Sequence, residues 1–349
     1  MLRRLSTLLH ADLAIDLGTA ATRVALPGEG LVLEEPSVVA VSRSANRLLS
    51  GGCAVGHLAR QMLGRTPDSV SVVRPLAGGV ITNFHLCEAM LRYFLRKARP
   101  MRFGLRPRLL LAAPACLTPV EKHAIYTSAH RAGAGRVMLV GVAQAAALGL
   151  RLPVAEPVAS MLIDIGAGAT EVAVLSLGGV VSQHSCHTGG DQMDQAIVDH
   201  LRRSHGLRVG LATAEQLRME LGSAWPVDDD RASEVRGLDL ANGLPRRMEM
   251  NAAQVRAALN APLERILETV RATLDKCSPD LVSDLVERGV ELCGGGSLLT
   301  GLDRWITERT GLPARVAAEP TTAVVQGTLT CLEHLDTWRS FVESSDASF

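Results

Sequence analysis

Two stretches of this chain follow one plan. Residues 12–26 read DLAIDLGTAATRVAL and residues 161–175 read MLIDIGAGATEVAVL. Each runs from an apolar strand to an aspartate, through a glycine-containing turn to a threonine, and out along an alternating strand. An apolar run that enters a glycine turn and leaves as a second strand is a β-hairpin, because glycine adopts turn dihedrals that a Cβ makes costly. Asp16 and Asp164 stand 148 positions apart, a domain-sized spacing. A hairpin repeated at that distance points to two similar α/β domains facing one another in a chain of 349 residues.

The intervening segments fit that plan. Residues 85–98 put Leu86, Met90, Phe94 and Leu95 on one helical face. RPRLLLAAP reads as a buried strand. Thr118, Pro119 and Glu121 open a capped helix over 118–132, closed by Gly133 and Gly135. RVMLVG at 136–141 is a further strand, and VAQAAALGL an alanine-rich helix. This alternation predicts a mainly parallel sheet covered by helices. In the second half, 191–206, 213–224 and 252–276 read as helices, and 226–250 as turns and short hairpin strands. The strand VELC then leads through Gly294-Gly295-Gly296-Ser297 into a helix beginning at Leu298 and Leu299.

Composition excludes several classes. With 36 basic and 36 acidic side chains the net charge is zero, which argues against a nucleic-acid binder. Lys97, Lys122 and Lys276 are the only lysines, leaving few candidates for a lysine phosphate clamp. The 7 cysteines are widely scattered, a pattern of free thiols in a reducing compartment. No apolar run is long enough for a membrane-spanning helix, and the first ten residues lack a secretory cleavage pattern, so the expected location is intracellular. The histidines form no HExxH set, and HSCH at 184–187 is too isolated for a zinc site.

The glycine turns carry the candidate chemistry. In Asp16-Leu17-Gly18-Thr19-Ala20 a strand ends in a carboxylate and the turn exposes successive backbone amides. Such a nest holds phosphate oxygens, and a nearby aspartate holds Mg²⁺ through water. Asp164-Ile165-Gly166-Ala167-Gly168-Ala169-Thr170 offers the same a second time, so two phosphate loops facing across a cleft make a clamp. The turn Gly294 to Ser297 strips side chains so that a flat base or a phosphate approaches the backbone. No GxxxxGK[ST] occurs. GAGAT runs into a strand rather than a helix, unlike a dinucleotide fingerprint.

In this order the motifs resemble the MreB family of bacterial actin-like, rod-shape-determining proteins, within the wider actin, Hsp70 and sugar-kinase fold. The pieces that carry the resemblance are DLAIDLGTAAT (12–22), EEPSVVAV (34–41), RPLAGGVITNF (74–84), IDIGAGATEVAVLSLGGVV (163–181), TGGDQMDQAI (188–197), TAEQLRMELGSA (213–224) and CGGGSLLTGLD (293–303). The resemblance implies an α/β, actin-like, two-lobed fold with duplicated ribonuclease-H-like domains and a nucleotide cleft between them. The first lobe would cover 12–150, with a smaller subdomain at about 34–73. The second would cover 151–319, with its smaller subdomain at about 191–255, and 320–349 would return to the first lobe. It further implies ATP and Mg²⁺ as cofactors, with Asp16 and Asp164 as catalytic and metal-holding carboxylates. Gly18, Thr19, Ala20, Gly166, Ala167, Gly168 and Thr170 would line the phosphates. Glu215, Gln216, Leu217, Arg218, Gly294, Gly295, Gly296 and Ser297 would enclose ribose and base. Arg218 stands where the family usually has lysine, which keeps the charge but changes its geometry.

Other departures bear on turnover. Where the family places a glutamate pair and proline after the strand, with the acid that helps orient water, this chain reads Gly141-Val142-Ala143. GAGAT replaces GGGTT, and Ala21 replaces Asn. The expectation is ATP binding with slow or absent hydrolysis, because orienting water and binding the ground state are separable contributions. Glu171 either substitutes in organising water or faces solvent from an alternating strand.

The resemblance also implies paired filaments at the cytoplasmic face of the inner membrane and cell-wall elongation membrane proteins as partners. Leu2, Leu5, Leu8 and Leu9 of residues 1–11 lie near one helical face beside Arg3 and Arg4, suited to lying in an anionic interface. Such a short anchor binds weakly alone and gains from many copies. MRFGLRPR at 101–108 resembles a membrane-contacting loop. A hydrolysis-impaired paralogue that co-assembles as a scaffold, and a small-molecule kinase of the same superfamily, are the alternatives.

Overall fold

In the computed structural model, which describes residues 12–42, 47–48, 54–98, 106–226 and 231–344, the first repeat is a two-residue hairpin. Strands β1 (Leu13–Leu17) and β2 (Ala21–Leu26) pair antiparallel, and the Gly18 amide closes the turn onto Ala21 O at 3.1 Å. The second repeat closes in the same way. Between β11 (Ser160–Ile165) and β12 (Thr170–Ser176), the Gly166 amide donates to Ala169 O at 2.9 Å. The amphipathic segment 1–11 and most of the 101–108 loop lie outside the described residues.

The described chain divides into two compact units. One holds the residues up to Ser160, Leu175–Val181 and those from Thr321 onward; the other holds Met161–Val174 and Ser182–Pro320. In the first, β1 and β2 are joined by β3 (Gly30–Pro36), β9 (Arg108–Ala113), β10 (Arg136–Gly141) and β19 (Val342–Ser344) in the order β19-β10-β9-β1-β2-β3. Only β1, β9 and β10 run parallel, so the sheet is mixed rather than mainly parallel. The reason is local: two-residue and short turns can join strands only antiparallel, and they build half of the sheet.

Both faces of this sheet are covered, which explains the uninterrupted apolar run of β9. Leu13, Ile15, Leu109, Leu111, Val137 and Leu139 form one core with Met90 and Phe94 of α2 (Phe84–Ala98) and with Ile125 of α3 (Pro119–Ala132). The expected cap of α3 is present as a full capping box between Thr118 and Glu121. Against the other face lie α4 (Val142–Gly149) and α10 (Ala323–Glu333). A small sheet of β4 (Val39–Ser42), β5 (Arg47–Leu48) and β6 (Val70–Val73), the helix α1 (His57–Gln61) and the hairpin β7 (Leu76–Ala77) with β8 (Val80–Ile81) complete this unit.

One buried carboxylate ties these parts together. Glu35 of β3 is 4% exposed, accepts from the His57 amide at 2.8 Å and is ion-paired with Lys97 of α2. Burial pushes its carboxyl up, but the Lys97 bond, the His57 amide and the nearby charges outweigh this and hold it below the usual range. Its stabilisation is therefore present above the ordinary glutamate range and lost as pH falls through the depressed folded value. Lys97→Met is expected to cost about 2 kcal/mol near neutrality, less than for a fully buried pair because the ammonium is half-exposed. The deficit should shrink in acid, as denaturant midpoints measured against pH would show.

The second unit repeats the sheet order. β13 (Gly179–Cys186), β12, β11, β17 (Val290–Cys293) and β18 (Ala314–Val316) lie side by side, with β17 and β18 parallel to β11. Helices α5 (Gly190–His205), α6 (Leu211–Leu221) and α7 (Ala252–Leu274) pack together beside a three-stranded sheet of β14 (Leu207–Arg208), β15 (Ala232–Asp239) and β16 (Pro245–Asn251). The expected hairpin of 226–250 is β15 and β16. Helix α8 (Pro279–Arg288) had no counterpart in the sequence reading, although Ser278-Pro279 is a helix-start signal. The helix expected from Leu298 instead begins at Leu302, as α9 (Leu302–Thr310). Residues Gly295–Leu298 form a 3-10 turn, and Leu298 is exposed.

Candidate functional site

The first glycine turn is held from one side. Ser37 donates its backbone amide to Ala20 O at 2.9 Å and its hydroxyl to Gly18 O at 2.7 Å. With the Ser37 proton used there, the buried Thr22 hydroxyl donates to Ser37 Oγ at 2.8 Å. The Thr19 hydroxyl is also engaged, accepting from the Gly79 amide at 3.1 Å. The turn's carbonyls are thus tied, while the amides of Thr19 and Ala20 have no acceptor among the described residues. Gly18 admits no side chain, since a Cβ would lie 2.6 Å from Ala21 O.

The second turn is tied in the same sense by a helix. The amides of Gly190 and Asp191, at the start of α5, donate to Gly166 O at 3.0 Å and Ala167 O at 2.8 Å. A Cβ on Gly189 would fall 2.5 Å from Gly166 O, so glycine is needed for this approach. The amides of Ala167 and Gly168 have no acceptor among the described residues. Thr170 is fully buried and donates its hydroxyl to Thr188 O at 2.7 Å, so it shapes the loop.

Each turn carries its aspartate at the end of a strand. Asp16 lies opposite Arg23 in the β1–β2 register and accepts from its NH1 at 3.4 Å. Burial pushes the Asp16 carboxyl above the usual range; Arg23 opposes this and Glu34 adds to it. Asp164 is 9% exposed and lies opposite Cys293, whose thiol donates to its Oδ1 at 3.5 Å. Burial first, then Asp164, push the Cys293 thiol well above its usual range and keep it a donor. Glu171 is buried at 3% and accepts from Gln183 at 3.1 Å. It does not face solvent as its alternating strand suggested, because Thr170–Leu175 of β12 are buried on both faces.

The glycine run packs directly on Asp164. Gly294 has φ +78°, and a Cβ there would lie 2.4 Å from Ile165 O and 2.6 Å from Asp164 Oδ1. A Cβ on Gly296 would strike the Ile165 side chain at 2.3 Å, whereas Gly295 faces open space. Ser297 is buried and donates to Gly294 O at 2.7 Å. Two of the three glycines therefore serve close approach to β11, and only Gly295 presents bare backbone outward.

The four candidates on α6 separate. Leu217 is in the core, Gln216 is exposed and donates to Glu220 at 2.7 Å, and Glu215 is half-buried. Arg218 is committed to Asp194 of α5, with Nε at 2.6 Å from Oδ1 and NH2 at 3.3 Å from Oδ2. Burial pushes the Asp194 carboxyl up even so.

Gly141 ends β10 beside Ala113, two strands from Asp16 at the same edge of the sheet. A Cβ at 141 would lie 2.0 Å from Gln144 Oε1, so the Gln144 amide occupies the space a side chain there would need. That oxygen is buried without a partner in the described structure. Gln144, Arg23, Asp194 and Cys293 were not singled out from the sequence. Hairpin arithmetic exposes Arg23, and the place of Asp194 in the buried stripe of α5 exposes its need for a cation.

Backbone amides without acceptors suit phosphate oxygens, and two carboxylates at strand ends are the hard oxygen donors that magnesium takes. The residues present thus fit both groups. Comparison with known proteins agrees with this architecture over nearly the whole chain. The family model described as MreB/Mbl protein matches residues 10–340. Cell shape-determining protein MreB of Escherichia coli (strain K12) is 46% identical over 337 residues, covering 96% of this chain and 97% of that protein. Among solved structures, MreB 5 of Spiroplasma citri bound to AMPPNP superposes with a TM-score of 0.88 at 28% identity, covering 95% of this chain and 98% of that one. The MamK double helical filament shares the fold, with a TM-score of 0.78 at 18% identity, covering 93% and 99% of the two chains. With the duplicated hairpin sheets, the paired glycine turns and a family match over nearly its full length, the chain belongs to the MreB/Mbl family of actin-like proteins.

Proposed function

We propose that this chain binds ATP with magnesium, polymerises into filaments at the cytoplasmic membrane face and helps determine rod cell shape by organising cell-wall synthesis. One observation carries the nucleotide reading: both turns have their carbonyls tied on one side and two successive amides left without acceptors. Thr19 and Ala20, and Ala167 and Gly168, take phosphate through their backbone amides, in turns that Gly18 and Gly166 close. Asp164 and Asp16 hold the metal through water. Glu215 and the Gly294–Ser297 turn meet the nucleoside, and Arg218, bonded to Asp194, braces the start of α5. Nucleotide in the Spiroplasma citri relative and filaments of MamK support the reading. No described helix is long and apolar enough to cross a membrane; lipid contact is assigned in this reading to residues 1–11 and 101–108, from their Leu and Arg content.

Hydrolysis is slow in this reading. Position 141 offers no side chain to orient water, and Gln144 fills its space. Titrating ATP into the purified protein, following phosphate release, and imaging it with ATP on anionic lipid tests the three parts separately. ATP binding with slow or no phosphate release, and paired filaments on lipid, are expected. Rapid turnover abolished by Asp164→Asn would overturn slow hydrolysis, and absence of binding would overturn the site. Deleting residues 2–9 should release the protein from anionic liposomes while leaving ATP binding intact, which a sedimentation assay reads.

A further inference from the structure

Register across three neighbouring strands lines up Asp16 with Arg23, and Arg23 with Glu34. Residues opposite one another in register share a face of the sheet, so the guanidinium stands between two carboxylates. Its bonds are unequal. Nε and NH2 lie 3.0 Å and 2.7 Å from Glu34 Oε1, whereas NH1 reaches Asp16 Oδ2 only at 3.4 Å. Glu34 is half-exposed, while the Arg23 and Asp16 side chains are each 14% exposed.

The outer carboxylate thus anchors the guanidinium and leaves its NH1 end underused beside Asp16. That end belongs to the strand leaving the turn whose Thr19 and Ala20 amides have no acceptor. An arginine offers five donors in a planar fork suited to phosphate oxygens, and it stays charged at any pH the protein meets. The lysine shortage noted in the sequence is answered here by an arginine. A metal held by Asp16 would have to share the carboxylate with a cation already bonded to it.

We propose that Arg23 is the resident cation of the first phosphate turn: it positions Asp16 and supplies positive charge to the phosphates of a bound nucleoside di- or triphosphate. Nucleotide binding at this turn then depends less on divalent metal than it would if the metal held by the aspartates were the sole source of positive charge. The proposal rests on nucleotide binding by the same turn.

The test measures ATP and ADP affinity of the full-length protein by calorimetry, with excess Mg²⁺ and with EDTA, for wild type, Arg23→Leu, Arg23→Lys and Glu34→Gln. Wild type should lose no more than about threefold on metal removal, and Arg23→Leu about tenfold or more in EDTA, the scale of one charge-assisted bond. Arg23→Lys should recover part of that loss, which a purely structural role for the side chain would not produce. Glu34→Gln, a change at a half-exposed residue, frees the guanidinium and should tighten binding in EDTA by about threefold. Equal EDTA affinities for Arg23→Leu and wild type, or unchanged or weaker EDTA binding in Glu34→Gln, would overturn the role of Arg23. Wild type that binds in neither condition would instead overturn the nucleotide site itself.

Discussion

A Gly327→Ala substitution is expected to lower the thermal unfolding midpoint by roughly 4–8 °C, although alanine is the better helix former. Two effects oppose one another. Alanine gains about 1 kcal/mol of helix propensity over glycine. Its Cβ, however, would lie 1.6 Å from Ala145 O, and a Cβ on Gly149 would lie 1.9 Å from Ala323 O. These glycines let α4 and α10 touch backbone to backbone against the sheet that carries Asp16. A carbonyl fixed in a helix cannot retreat as a flexible side chain does, so the helices must separate. Overpacking of this kind costs about 3 kcal/mol, leaving a net loss of about 2 kcal/mol. Gly210→Ala is the steric control: nothing lies within 4 Å of its Cβ, so only the N-cap preference for glycine over alanine at the start of α6 is lost, at about 0.5–1 kcal/mol. An unchanged midpoint for Gly327→Ala would mean that this crossing has slack. Gly149→Ala and the double variant should fall short of additivity, because both push on one interface.

That crossing shows where sequence reading stops. The alanine-rich character of α4 was legible, but a contact joining residues 149 and 323 is encoded in no local period. Turns and caps were legible because they are local: Gly18 and Gly166 close their hairpins by the same bond, and Thr118 caps α3 as its spacing required. Arg23 was within reach as well, since a two-residue turn at 19–20 pairs 18 with 21 and therefore 16 with 23. Burial on both faces was not. Glu171 reads as an outward residue in an alternating strand, yet β12 is covered on each side and the carboxylate is inside. The glycine run at 294–296 reads as room for a ligand, whereas two of its members make room for β11. A glycine in sequence signals a missing Cβ without saying what fills the space.

Arg218→Met is expected to destabilise the second unit by about 3–5 kcal/mol near neutrality. Asp194 and Arg218 are 8% and 15% exposed, so removing the guanidinium leaves a buried carboxylate without its cation. The pH dependence follows from the direction of the Asp194 shift. Burial raises its carboxyl even beside Arg218, with Glu215 and Asp191 adding to the rise. A group raised in the folded state contributes stability that is fully present below its unfolded value and lost as pH rises through the folded one. Without Arg218 the folded value rises further, so the deficit should be smallest in acid and grow toward neutrality. The double variant Asp194→Asn, Arg218→Met should recover most of the loss and flatten its pH dependence. The same cycle separates two roles for Arg218 in the site. Its guanidinium lies beside Gly190, whose amide, with that of Asp191, holds the carbonyls of the second phosphate turn. If Arg218 braces that turn through α5, nucleotide affinity should return with stability in the double variant. If it touches the nucleoside directly, affinity should stay low after stability is restored, and calorimetry on the refolded double variant decides between them.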